Sequence, residues 1–181
     1  SNNSSQRRQY AAFNPRMGMV FNAVKHKDIQ LFANISRSYE PPTFDELVGT
    51  EVTSNINTSP KKLFSIGLEK QTATTFEVGS KGRLRQLSWN VAYYHSWVNH
   101  EILEVKDYVR GLKRTENYPH TLHQGLEIGI QAASKPHFFG RNIGTFTLGA
   151  VYDYSRFIFK GGKYDGKYLA GIPKHYVNAS L

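Results

Sequence analysis

The sequence predicts an all-β chain: part of an antiparallel, up-and-down transmembrane β-barrel, incomplete, with about seven strands. Three observations lead there. Successive segments alternate in polarity with period two. Their two faces differ, one apolar with Trp and Tyr, the other small and polar with acidic residues. The links between them alternate between short and long.

The first segment sets Met17, Met19, Phe21 and Ala23 against Gly18, Val20 and Asn22. The second sets Ile29, Leu31, Ala33 and Ile35 against Gln30, Asn34 and Ser36, with Phe32 as an exception on the polar side. The third opposes Phe76 and Val78 to Thr75, Glu77 and Gly79. The fourth is the clearest: Leu87, Trp89, Val91, Tyr93 and Trp97 share a face with one polar residue, His95, and oppose Ser88, Asn90, Ala92, Tyr94 and Ser96. The fifth opposes Leu126, Ile128 and Ile130 to Gly125, Glu127, Gly129 and Gln131. The sixth opposes Phe146, Leu148, Ala150, Tyr152 and Tyr154 to Thr145, Thr147, Gly149, Asp153 and Ser155, and a seventh begins near His175.

A face carrying Glu77, Glu127 and Asp153 does not suit a packed soluble core, but it suits a water-filled barrel interior. The opposite face suits lipid and its interfaces. Short links are expected at Ala23–Ile29, Lys81–Gln86 and Ser134–Asn142, and long ones at Ser36–Thr74, Val105–His120 and Phe159–Ile172. Strands crossing a membrane up and down, with short periplasmic turns and longer outer loops, give this alternation. A soluble sandwich or propeller would show shorter strands and more frequent turn signals. Leu87 to Val105 is long even for a tilted membrane strand, so its end is expected to project beyond the bilayer.

Composition agrees. Hydrophobic residues make up 39% of the 181 residues and mean hydropathy is −0.50. No run approaches the roughly 18–20 apolar residues of a membrane-spanning helix, whereas a barrel strand shows lipid only alternate side chains. There are no cysteines, hence no disulfide or thiolate site. Formal charge is +9. The basic residues Lys25 and Lys27, Lys61 and Lys62, Arg83 and Arg85, Lys113 and Arg114, and Lys160 and Lys163 are scattered through the breaks, so nucleic acid is not an expected partner. Residues 1–10 are polar and basic without an apolar leader core. Seven strands with two open edges cannot satisfy their edge backbone groups in lipid. The expectation is therefore a fragment cut at both ends.

Several stretches resemble one family in order. Ser36 to Leu47 includes Glu40-Pro41-Pro42-Thr43-Phe44-Asp45-Glu46; then come Leu68 to Gly79 with Glu77-Val78-Gly79, His123-Gln124-Gly125-Leu126-Glu127, and Gly171-Ile172-Pro173-Lys174-His175. This set resembles the barrel of TonB-dependent receptors and leans toward the ferric citrate and siderophore branch. The resemblance implies a barrel of about 22 strands around an N-terminal plug, in the Gram-negative outer membrane. Substrate would bind at the outer face, and TonB would act through parts preceding this chain. Residues 1–181 would then be barrel domain, with plug and terminal strands lying elsewhere. Glu40, Pro41, Pro42, Phe44, Glu46, Glu77, Gly79, His123, Gly125, Glu127, Pro173 and His175 carry the motif and are expected to be architectural. Pro41 and Pro42 cannot extend a ladder and should end a strand at the rim. Phe44 and Leu47 should pack the bend, and Gly79, Gly125 and Gly129 should ease bending or leave room for a plug.

No catalytic residues or cofactor are expected. Gly161 to Tyr168 nearly spells a phosphate loop, but Tyr168 replaces the magnesium-binding hydroxyl and no helix follows, so an outer loop is expected. His95 and His100, like His120 and His123, should point to opposite strand faces, which disfavours a shared metal. Glu77 and Glu127 suit inner-wall hydrogen bonding better than glycosidase chemistry.

The outer links carry candidate ligand groups. Lys106, Arg110, Lys113, Arg114 and Tyr118 follow the fourth strand; Lys160, Lys163, Tyr164, Lys167 and Tyr168 follow the sixth. Arg110, Arg114, Tyr118, Lys163 and Tyr164 are the leading candidates for an anionic, oxygen-rich ferric chelate. The competing reading of such residues is contact with outer-membrane lipid, lipopolysaccharide phosphates or solvent. Alternative cargoes are cobalamin, a redox cofactor, copper or sugar, and a different class altogether is a passive porin or structural barrel.

Overall fold

The computed structural model describes residues 11–24, 28–51, 61–64, 67–107, 112–134, 137–138, 141–142 and 144–181. Its strands are β1 (Arg16–Asn22), β2 (Ile29–Glu40), β3 (Val48–Glu51), β4 (Lys61–Phe64), β5 (Gln71–Leu84), β6 (Leu87–Asp107), β7 (Leu112–Ala133), β8 (His137–Phe138), β9 (Arg141–Asn142), β10 (Thr147–Phe159) and β11 (His175–Ser180). Seven of them form one open antiparallel sheet in the order β1-β2-β5-β6-β7-β10-β11. Every pairing is between sequential neighbours on that path, which is the up-and-down plan.

The register carries the two-faced pattern across the sheet. One row runs Phe21, Leu31, Ser80, Val91, Ile128, Tyr152, Val177; the next runs Met19, Ala33, Val78, Tyr93, Leu126, Tyr154, His175. This face exposes Met19 at 68%, Tyr93 at 38% and Val177 at 69%. A largely apolar face left uncovered across seven strands suits lipid rather than water. The opposite face has rows such as Gly18, Asn34, Glu77, Tyr94, Gly125, Ser155. Polar groups there satisfy one another: Asn34 Nδ2 donates to Glu77 at 2.8 Å, and the Thr75 and Ser96 hydroxyls lie 2.8 Å apart.

Phe32, the exception to the alternation, lies over Gly79, occupying the place a side chain there would take. Tyr94 does the same over Gly125. At these two positions the missing side chain makes room for an aromatic ring of the neighbouring strand. Gly129 does leave room, since a Cβ there would meet nothing nearer than 3.8 Å.

Strand order puts the links at 23–28, 85–86 and 134–146 on one rim, and those at 41–70, 108–111 and 160–174 on the other. One expected long loop is corrected. The stretch 105–120 is mostly strand, because β6 and β7 pair as far as Asp107 and Leu112. Beyond the membrane both faces of a hairpin are wet, so residues 112–120 need no apolar alternation to remain extended. Residues 108–111, like Lys25–Lys27, lie outside the described residues. The short β3–β4 hairpin leans on this long one through Thr50 and Glu51 opposite Lys113 and Leu112.

β2 ends at Glu40, before the two prolines, of which Pro42 is buried. A single helical turn follows, Phe44–Leu47. It starts with a capping box: the Thr43 N–H donates to the Glu46 carboxylate at 2.6 Å, and the Glu46 N–H donates to Thr43 Oγ1 at 3.4 Å. The expected packing by Phe44 is corrected, since that ring is 77% exposed. The capping box and Pro42 shape the bend instead.

Candidate functional site

The inner wall rises toward the rim with the long links as a ladder of rings. On β10, Ser155, Phe157 and Phe159 continue the inward alternation begun by Val151 and Asp153. Tyr94 meets Phe157 edge-on with centroids 6.5 Å apart. His123 stacks flat on Phe157, at 4.1 Å and an interplanar angle of 4°. Its Nε2 lies 3.2 Å from the carboxylate of Glu101, which also accepts a hydrogen bond from the Thr121 hydroxyl. Glu101 is 8% exposed and Thr121 2%, so this polar knot is packed into the wall.

Glu101 reaches the inner face through a local reversal. Asn99 faces outward, where its Oδ1 lies 2.8 Å from His120 Nδ1. Strict alternation would turn Glu101 outward as well. His100 has φ +54°, a left-handed conformation uncommon outside glycine, and after it Glu101 and its partner Tyr118 meet the inner-wall residues Thr121 and Phe159. His100 and Asn117 also bind the segment that leads into β5. His100 Nδ1 lies 3.1 Å from Glu69, and Asn117 Nδ2 donates to the Glu69 and His100 carbonyls.

Above this knot, Tyr118, Phe159 and Tyr164 form an aromatic cluster. Tyr118 lies 4.5 Å from Phe159 and 6.3 Å from Tyr164, and Phe159 lies 5.6 Å from Tyr164. The Tyr118 hydroxyl donates to the Gly161 carbonyl at 2.7 Å, tying the 160–174 link to the wall. That link turns at Gly161 and Gly162, with φ +75° and +66°, then makes a 3-10 turn over Gly162–Tyr164. Asp165 accepts the Gly161 N–H at 2.7 Å. The near-phosphate-loop motif is thus a capped surface turn. The ammonium groups of Lys163 and Lys167 sit 5.3 and 5.9 Å from the Tyr164 ring centre. Cations held on an aromatic face leave donors free for an anion.

Of the leading ligand candidates, Tyr118, Lys163 and Tyr164 come together. Tyr118 is corrected from loop to strand: it lies in β7 opposite Glu101. Arg110 lies outside the described residues. Arg114 is backbone-paired with Val105 in the projecting hairpin, and its side chain lies outside the description. Sequence reasoning missed Phe157, Phe159 and Glu101 as wall residues. The two phenylalanines were detectable as the continuation of the period-two pattern of β10; Glu101 was not, because the reversal at His100 precedes it.

The motif residues fall in several settings. Glu40 accepts a hydrogen bond from Gln71 at 3.4 Å across the β2–β5 pair. Glu77 and Glu127 are separated by Tyr94 and Ala92 in the register and form no acid pair; Glu127 stands opposite Asp153. His175 follows Pro173 onto the outward face, where its Nδ1 lies 2.9 Å from the Tyr152 hydroxyl and its ring 5.4 Å from Tyr154. No curated protein matches the chain. The family described as "TonB dependent receptor-like, beta-barrel" matches residues 1–181. With its sequence matched end to end and its strands arranged as an open up-and-down sheet with one apolar face, the chain belongs to the TonB-dependent receptor β-barrel family.

Proposed function

We propose that this segment is later barrel wall of an outer-membrane receptor that actively imports a ferric chelate, a siderophore or ferric citrate. Plug and terminal strands would be supplied by the rest of the protein, and TonB would engage the part preceding this chain. The family supports a TonB-dependent receptor in the outer membrane. The cargo class rests on one observation: Lys163 and Lys167 gathered on Tyr164, beside Tyr118 and Phe159, at the rim carrying the long links. Cations raise the local concentration of an anionic chelate, and their N–H groups pair with its carboxylate or catecholate oxygens. The rings give it a flat, rigid surface.

The experiment is growth of a strain lacking the full-length receptor on defined iron sources. Loss of growth on one ferric chelate, restored by the receptor gene and not by a gene with the TonB-contacting segment deleted, supports the reading. Unchanged growth on every ferric source removes iron as cargo and leaves the cobalamin, copper, redox-cofactor or sugar alternatives. Restoration without the TonB-contacting segment would favour a passive pore.

A further inference from the structure

The lipid side of the sheet carries a polar cluster that import does not use. The outward row Met17, Ile35, Phe76 is apolar, but it continues across the sheet as His95, Gln124 and Arg156. Gln124 joins the three. Its Nε2 donates to His95 Nδ1 at 2.9 Å and to the Tyr93 hydroxyl at 3.1 Å, while its Oε1 accepts from Arg156 Nη1 at 2.6 Å. The His95 ring packs 4.2 Å from Trp97. With Nδ1 accepting, the imidazole proton sits on Nε2, which is buried without a hydrogen-bond partner among the described residues. The cluster thus holds the arginine in place without neutralising it.

A guanidinium has five N–H donors. One of those on Arg156 is used, on a neutral amide oxygen, and among the described residues no carboxylate forms an ion pair with it. Facing hydrocarbon, such a cation is costly. Arg156 lies three residues before the end of β10 at the rim with the long links, and the outward rows on either side of its own carry interfacial residue types, Tyr154 in one and Trp97 in the other, where Trp97 aligns through Leu122 with Ile158. That is headgroup depth, where the fork of an arginine matches two phosphate oxygens.

We propose that Arg156, oriented by Gln124 and His95, seats the phosphate of a lipid in the leaflet at that rim, a phosphorylated glycolipid in a Gram-negative outer membrane. The site is on the wall outside the barrel, separate from the inner-wall cluster assigned to cargo, and it stands or falls without reference to the cargo. In this reading the lipid fixes the rotation and depth of the β6–β7–β10 wall in the leaflet.

The test uses the purified full-length receptor with synthetic bisphosphorylated lipid A and its dephosphorylated form, reading bound lipid by native mass spectrometry. Arg156→Gln should weaken binding of the phosphorylated lipid about fivefold. It should leave the weaker binding of the dephosphorylated form unchanged. R156K, which keeps the charge and loses the fork, should fall between. If R156Q does not assemble, the wild-type comparison still decides, because the seat requires preference for the phosphorylated lipid. Equal binding of the two lipids, unchanged binding by R156Q, or displacement of the lipid by millimolar inorganic phosphate alone would each overturn the proposal, the last by making the site one for the free ion.

Discussion

Tyr94 of β6 lies across Gly125 of β7 on the inner wall, so that its ring occupies the volume any side chain at 125 would need. The same ring meets Phe157 of the next strand edge-on. Gly125 is thus the gap that lets one aromatic residue bridge three strands and start the ladder toward the mouth.

Gly125→Val should therefore displace Tyr94 and cost about 1–3 kcal/mol of folding stability. The measurement is the urea midpoint of the full-length receptor, followed by heat-modifiable gel mobility. The double variant Gly125→Val, Tyr94→Ala should recover much of that loss, because the clash has been removed. A double variant as unstable as the sum of the two single ones would show that the ring does not depend on the glycine.

The two faces of β6 give a second prediction. Val91 faces outward in a row with Leu31 and Ile128, and Asn90 faces inward beside Lys81 and Gly129. Val91→Arg should cost about 2–4 kcal/mol if it lies near the bilayer midplane. Asn90→Arg should cost much less, since the inner wall is open there: Asn90 is exposed and lines a concavity of about 1460 Å³. Ala92, the next inward residue, is a poorer control because it is 5% exposed, and an arginine there would meet crowding as well as water. Equal loss of assembled receptor from Val91→Arg and Asn90→Arg would show that the faces are wrongly assigned.

Much of this architecture was legible in the sequence because a barrel strand between lipid and water has a two-residue physical period. Met19, Ala33, Val78, Tyr93, Leu126 and Tyr154 fall in one row, and each was already on the apolar side of its own segment. Legibility failed where that constraint lapses. Residues 112–120 extend β7 with mostly polar side chains, since no lipid imposes alternation above the membrane. The reversal at His100 depends on a backbone angle of +54° that its side chain does not announce. The mouth cluster was half visible. Tyr118, Lys163 and Tyr164 stood out by chemistry, but their meeting requires the Tyr118 hydroxyl to hold the Gly161 carbonyl, a contact 43 residues apart in the chain.

That contact makes Tyr118 the most informative residue of the mouth. It presents a ring to Phe159 and Tyr164 and a hydrogen bond to the link that carries Lys163 and Lys167. Tyr118→Phe keeps the ring and loses the tether; Tyr118→Ala loses both. If the cluster captures an anionic chelate, Tyr118→Ala should weaken binding by roughly 1–2 kcal/mol at any ionic strength, because ring contact is not screened. Lys163→Gln with Lys167→Gln should instead weaken binding mainly at low salt, with the wild-type and variant curves converging as salt rises and screening removes the attraction. Folding should be little changed by the lysine pair, since both side chains are exposed on a surface link. The measurement is ligand affinity of the full-length receptor against ionic strength. The two kinds of variant must give differently shaped curves. If the lysine variant superimposes on wild type at low salt while Tyr118→Ala still loses affinity, the cargo is held by its flat surface and not by its charge. If neither variant changes affinity, ligand capture lies elsewhere on the barrel mouth.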